Sequence, residues 1–179
     1  YVQTNVTGTL NVLQSARRNS VEHLVCTSTS ETYGTAQFVP ISESHPLNAQ
    51  SPYAATKVAS DQMALAFHRS FDTPVSILRP FNTFGPRQST RAVIPTVIGQ
   101  IASGQKEIKL GSLHPTRDFT FVADTARGFI QIMNTDRCFG EVANIGTGHE
   151  ISIGETVELL SDLMGASVTV IQDNLRERP

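Results

Sequence analysis

The chain has no tryptophan, only three tyrosines and two cysteines, and a net charge of -2 that favours neither sign strongly. Each shortage excludes something. Cys26 and Cys138 are too few for a disulfide framework, and a reducing, cytoplasmic setting is the expectation. Without an excess of basic residues there is no electrostatic footprint for nucleic acid. No apolar run reaches the length of a membrane span, no signal peptide is visible, and internal repeats and low-complexity linkers are missing. The 179 residues, 39% of them apolar, nevertheless suffice to bury a good core.

What is present centres on Val21 to Lys57. His23-Leu24-Val25-Cys26 is a short apolar run that passes into Thr27-Ser28-Thr29-Ser30-Glu31-Thr32-Tyr33-Gly34, the pattern of a buried parallel strand turning polar where it leaves the sheet. Open α/β sheets bind ligands at that edge. Ser51-Pro52 then supplies an N-cap and a proline at the first helical position, which puts Tyr53 and Lys57 at i and i+4 on one helical face. A phenol titrating at about 10 is a poor base at neutral pH, but a neighbouring ammonium favours the phenolate. Tyr53 is thereby a candidate to take a hydroxyl proton.

On the N-terminal side, Val6, Leu10, Val12, Leu13 and Ala16 fall at near-helical spacing, predicting a crossover helix over Asn5 to Arg18 with its cations in the last turn. Gly8 reads there as a close-packing position. Gly34 to Gln50, with Pro40 and Pro46, is an expected loop at the active edge, and His45 within it an expected solvated residue. The helix from Pro52 should end before Asp72-Thr73-Pro74, and Val75 to Leu78 should form the next parallel strand, leaving through Arg79-Pro80-Phe81-Asn82. Beyond Gly85 the pattern predicts a helix over Ala92 to Ser103, a strand over Glu107 to Gly111 and a second strand-like segment at Thr116 to Phe121. A helix over Val122 to Asn134, a short strand from Val142, a capping box at Ser152-Ile153-Gly154-Glu155 opening a helix to Met164, and a last strand over Ser167 to Ile171 complete an α/β pattern.

The ordered set Thr29-Ser30-Glu31-Thr32-Tyr33-Gly34, Tyr53-x-x-x-Lys57, and Arg79-Pro80-Phe81-Asn82-Thr83-Phe84-Gly85-Pro86-Arg87 resembles the extended short-chain dehydrogenase/reductase family, in particular its nucleotide-sugar epimerases and dehydratases. The likeness runs from Thr4-Asn5-Val6-Thr7-Gly8-Thr9 to Arg178-Pro179. It implies a doubly wound, Rossmann-like parallel sheet over 1–84, without its N-terminal strands and Gly-rich turn, and a small α+β substrate-binding lobe over 85–179, interleaved with the first domain and truncated. It also implies NAD as cofactor, a nucleotide-diphosphate sugar as substrate, no metal, and a homodimer built on the helices containing Gly8 and Tyr53. By the same resemblance, Tyr53 takes the C4 hydroxyl proton, Lys57 holds the phenolate and a ribose, Thr29 bonds the C4 oxygen, and Thr27 and Pro80 meet the cofactor. Asn82, Arg87, Arg91, Arg117 and Arg178 meet the sugar and its diphosphate, which a guanidinium grips bidentately.

Glu31 separates the subfamilies. An epimerase needs no second base, whereas a 4,6-dehydratase must also remove the C5 proton and expel water, which calls for a carboxylate. Ser30 precedes Glu31 where the dehydratases of the rhamnose pathway carry aspartate; the mannose-type enzymes carry serine there, and serine is a poor general acid. The expectation is a 4,6-dehydratase whose closest likeness acts on UDP-N-acetylglucosamine. UDP-glucuronate decarboxylases share Thr-Ser-Glu, a C4 epimerase is the other alternative, and a non-catalytic dimerisation scaffold is the alternative from another class. Gly146-Thr147-Gly148 has Ile151 in place of a third glycine and reads as a turn rather than a phosphate cradle. Because Tyr1 enters helix-like sequence without an initiator methionine, a fragment of a longer enzyme is expected, one that binds NAD weakly or not at all by itself.

Overall fold

The structure, a computed structural model, describes residues 1–173. A π-helical stretch, Val2–Thr7, leads into α1 (Gly8–Arg18), β1 (Leu24–Thr27), a 3-10 turn at Ser30–Tyr33, α2 (Pro52–Phe71), β2 (Val75–Pro80) and β3 (Asn82–Phe84). Then come α3 (Val93–Ala102), β4 (Glu107–Leu110), β5 (Thr116–Arg117), β6 (Phe119–Phe121), α4 (Val122–Met133), β7 (Val142–Ile145), β8 (Ile151–Ser152), α5 (Ile153–Leu163) and β9 (Thr169–Gln172). Two compact units result: Tyr1–Thr83 with Thr120–Gly146, and Phe84–Phe119 with the residues from Thr147 onward.

The first unit is built on a parallel sheet in the order β1-β2-β7, Leu24 lying opposite Val75 and Ile77 opposite Val142. Side chains alternate between the faces of a strand, so Val75 and Ile77 of β2 point one way and Ser76 the other. Val75 and Ile77 pack with Leu13 of α1 and with Ala64 and Leu65 of α2, and Leu24, Cys26, Met63, Phe67 and Val142 close around them. Leu13 and Ile77 are fully buried, and each contributes roughly 2 kcal/mol. On the opposite face, His23 bridges the Ser76 hydroxyl at 2.8 Å and the carbonyl of Met133, the last residue of α4, at 3.2 Å. Helices therefore cover both faces of a Rossmann-like sheet.

Most elements fall within a residue or two of expectation, and the departures have local causes. The first helix starts at Gly8 because the preceding residues wind more widely: the Asn5 carbonyl accepts from the Ser60 hydroxyl at 2.8 Å, and the Asn5 amide donates to Thr56 Oγ1 at 2.9 Å. Gly8 is not a close-packing position within the chain. A Cβ there would meet nothing nearer than the Gln3 carbonyl, at 3.9 Å. β2 runs on to Pro80, past the expected end at Leu78, because Arg79 finds a buried partner.

The second unit has its own core, Val97 and Ile101 of α3 against Ile108 and Leu110 of β4 and Val157 of α5. β4 pairs in parallel with β9, and β5 pairs antiparallel with β8. The capping box is present as expected: Ser152 Oγ accepts from the Glu155 amide at 3.1 Å and Glu155 Oε2 accepts from the Ser152 amide at 2.8 Å. The Ser152 hydroxyl also donates to Glu155 Oε2 at 2.6 Å, and this bond, with the one from the Ser152 amide, holds the exposed Glu155 carboxyl below its usual range.

Candidate active site

The C-terminal ends of β1 and β2 and the first turns of α2 carry the residues of interest in the first unit. Helix α2 starts where it does because Ser51 adopts an extended backbone and its hydroxyl accepts from the Ala54 amide at 3.0 Å, with Pro52 preset for the first helical turn. Tyr53 and Lys57 then stand one turn apart, both half-buried. At the end of β1, the Thr29 hydroxyl accepts from the Glu31 amide at 3.2 Å, and the Thr29 carbonyl accepts from the Thr32 hydroxyl at 2.8 Å. Those bonds fold Ser30–Tyr33 into a tight 3-10 turn and leave Glu31 exposed. Gly34 closes the turn with a φ of +66°, where a Cβ would lie 2.1 Å from the Asn48 carbonyl oxygen, so only glycine fits.

Thr29 and Glu31 lie near the Tyr53 phenol, Thr29 as its hydrogen-bond partner, and Lys57 stands one helical turn beyond Tyr53. Partial burial holds the Tyr53 phenol above its ordinary value; the Glu31 carboxylate and Tyr1 push it further up, and a hydrogen bond with Thr29 pulls it down. This corrects the expectation that Lys57 depresses the phenol, because the Lys57 ammonium donates instead to the Thr27 carbonyl at the end of β1. The Tyr1 ring lies edge-on to that of Tyr53, centroids 5.7 Å apart. Pro80 ends β2 in register with Ile145, and Asn82 is exposed in β3. Arg87, Arg91 and Arg117 belong to the second unit and are exposed, Arg87 with a φ of +68° and Arg117 donating to the Thr116 carbonyl at 2.7 Å. Arg178 lies outside the described residues.

Beneath these groups is a buried polar assembly that motif reading missed. Asp61 Oδ2 accepts from the Ser28 hydroxyl at 2.8 Å and from Arg79 Nε and Nη2 at 3.0 and 2.9 Å. Arg79 Nη1 donates to the Tyr33 hydroxyl at 2.9 Å, which donates to Asn144 Oδ1 at 2.8 Å. Burial raises the Asp61 carboxyl, against the downward pull of Ser28 and Arg79. The signal lay in spacing: Ala54, Lys57, Asp61 and Ala64 share one helical face, so an aspartate there points inward and needs a cation. His45 departs from expectation too. It is 2% exposed, its Nε2 accepting from the Gln37 amide at 3.0 Å and its Nδ1 lying 3.0 Å from the Pro46 carbonyl.

The fold matches that of solved Rossmann-like nucleotide-sugar dehydratases and epimerases. The dTDP-glucose 4,6-dehydratase from Bacillus anthracis, solved in complex with NAD, superposes with a TM-score of 0.89 at 31% identity, over 97% of this chain and 57% of that one. The UDP-glucuronic acid 4-epimerase from Bacillus cereus, in complex with UDP-glucuronic acid and NAD, gives 0.91 at 29% identity, over 100% and 57%. Among curated relatives, a dTDP-glucose 4,6-dehydratase from Streptomyces griseus is 37% identical over 97% of this chain and 53% of its own length. A putative UDP-glucose 4-epimerase from Methanocaldococcus jannaschii is 32% identical over 97% and 57%. Residues 1–178 match the family model described as GDP-mannose 4,6 dehydratase, and the chain belongs to that family. It spans about half the length of the curated relatives it matches.

Proposed function

We propose that the chain carries the acid–base site of an NAD-dependent nucleotide-sugar 4,6-dehydratase, a lyase converting an NDP-hexose to an NDP-4-keto-6-deoxyhexose. The observation that carries this reading is the Glu31 carboxylate gathered with Tyr53 and Thr29, close enough to raise the phenol. Oxidation at C4 alone needs one base, and a second base, here a carboxylate, is what β-elimination across C5 and C6 adds. The residues present fit the cofactor: Lys57, held by one carbonyl, keeps further ammonium donors for ribose hydroxyls, and Thr27 and Pro80 end adjacent strands at the ligand-binding edge. When bound, NAD supplies reversible two-electron chemistry at the sugar, and its positive nicotinamide ring favours the Tyr53 phenolate.

Tyr53 then removes the C4 hydroxyl proton while Thr29 donates to the same oxygen. Glu31 takes the C5 proton and hands it to the C6 hydroxyl, which departs as water, so the carboxyl serves as base and then acid, since Ser30 is too weak an acid for that step; C5 regains a proton from solvent as the 4-keto-6-deoxy product forms. Asn82 meets the sugar, and Arg87, Arg91, Arg117 and Arg178 its diphosphate. Two copies associate through the helices bearing Gly8 and Ala59. Both dehydratases and epimerases occur among the relatives, so the test must separate them. In deuterated water, the full-length enzyme acting on dTDP- or UDP-hexoses is expected to place deuterium at C5 of a 4-keto-6-deoxy product, as an epimerase would not. Glu31→Gln should slow water loss about a hundredfold or more while C4 oxidation persists as a transient absorbance. Product formation by this variant at the wild-type rate would rule the reading out.

A further inference from the structure

Ser28 and Tyr33 flank the segment that carries Thr29, Ser30 and Glu31, and both are tied to one buried ion pair. Ser28 donates to Asp61 and Tyr33 accepts from Arg79, while Asp61 and Arg79 bond each other at 2.9 Å. All four residues are no more than 4% exposed. Asp61 lies one helical turn beyond Lys57 and two beyond Tyr53, so the same carboxylate is rigidly linked through α2 to the other half of the site. Ion pairs removed from water are rarely favoured for stability over apolar residues of similar size, which makes this location informative. We propose that the Asp61–Arg79 pair is the positioning device of the site: it pins both ends of the Ser28–Tyr33 segment and fixes that segment against the face of α2 bearing Tyr53 and Lys57. The Tyr33 bond to Asn144 extends the tether to β7. None of these residues touches the reacting atoms, and all act through Thr29 and Glu31.

The inference rests on the acid–base reading of Thr29, Glu31 and Tyr53, but its test has a readout that needs no turnover. Ser28→Ala and Tyr33→Phe each cut one tether and leave the ion pair intact. In the full-length protein, either variant is expected to speed hydrogen exchange at the Thr32 and Gly34 amides, which bond to the Thr29 and Glu31 carbonyls, by clearly more than at amides elsewhere in the protein. Each should lower kcat by about tenfold with little change in KM, because the loss is one of orientation. A purely structural role would lower the melting temperature without this split. Exchange unmoved in both variants overturns the proposal, as does faster exchange with kcat intact. A wild-type enzyme that made no dehydrated product would sink the dehydratase reading alone, and the exchange rates would still decide the positioning role.

Discussion

Tyr53 shows how far a residue's character is set by what surrounds it. Its spacing to Lys57 was legible in the sequence, but the direction of its titration was not, because that depends on partial burial and on Glu31, a residue in another element. Asp61 and Arg79 escaped for a similar reason. Their contact joins α2 to β2 across 18 positions, and no local motif records it. Cys26 gives a test at this scale. Burial in β1 and the nearby Asp61 carboxylate push its thiol up to about 11, against the pull of Lys57, so almost no thiolate exists at neutral pH. Iodoacetamide at pH 8 should leave Cys26 of the native protein unmodified while alkylating it readily in guanidinium. Equal rates in the two states, read by peptide mass mapping, would contradict the burial described.

At the scale of elements, punctuation was the readable part. Ser51-Pro52 before α2, Asp72-Thr73-Pro74 after it, the capping box at Ser152 and Glu155, and Gly165 beyond α5 all sit where their backbone requirements place them. The winding of Val2–Thr7 was not readable, because it depends on hydroxyls of α2 reaching a distant turn. The same dependence hid the burial of His45, whose ring stacks edge-on to Tyr33 at 5.5 Å. Helix α2 presents both Tyr53 and Lys57 within its first turns, so its start matters beyond stability. Ser51→Ala removes the acceptor for the Ala54 amide and should cost about 1 kcal/mol, measured by denaturant unfolding. A variant as stable as the parent would show the cap to be dispensable.

For the whole molecule, alternation of strand and helix gave the α/β class, while the path of the chain between units did not follow from it. Residues 120–146 return to the first unit and complete its sheet with β7, a long-range pairing that local periodicity cannot announce. Among the described residues no helix is long and apolar enough to cross a membrane. The proposed two-fold association has visible material: Val12 is half exposed on α1, and Ala55, Ala59 and Ala66 form an exposed line of small side chains along α2. In an isologous contact each substituted position meets the interface twice. Ala59→Arg in the full-length protein should therefore shift its mass by light scattering from dimer to monomer. A wild-type protein already monomeric at working concentration would dispose of the association.

The tethered segment has one more consequence, for what can vary. With Ser28 and Tyr33 both fastened to the same pair of charges, the four residues between them span a fixed gap. Inserting or deleting a single residue would unhook one end, so the length of this stretch is closed to change. Its chemistry is not, since Ser30 takes part in neither attachment. A stronger acid could replace that serine with the span undisturbed, and the site could thus exchange one proton donor for another on an unaltered frame.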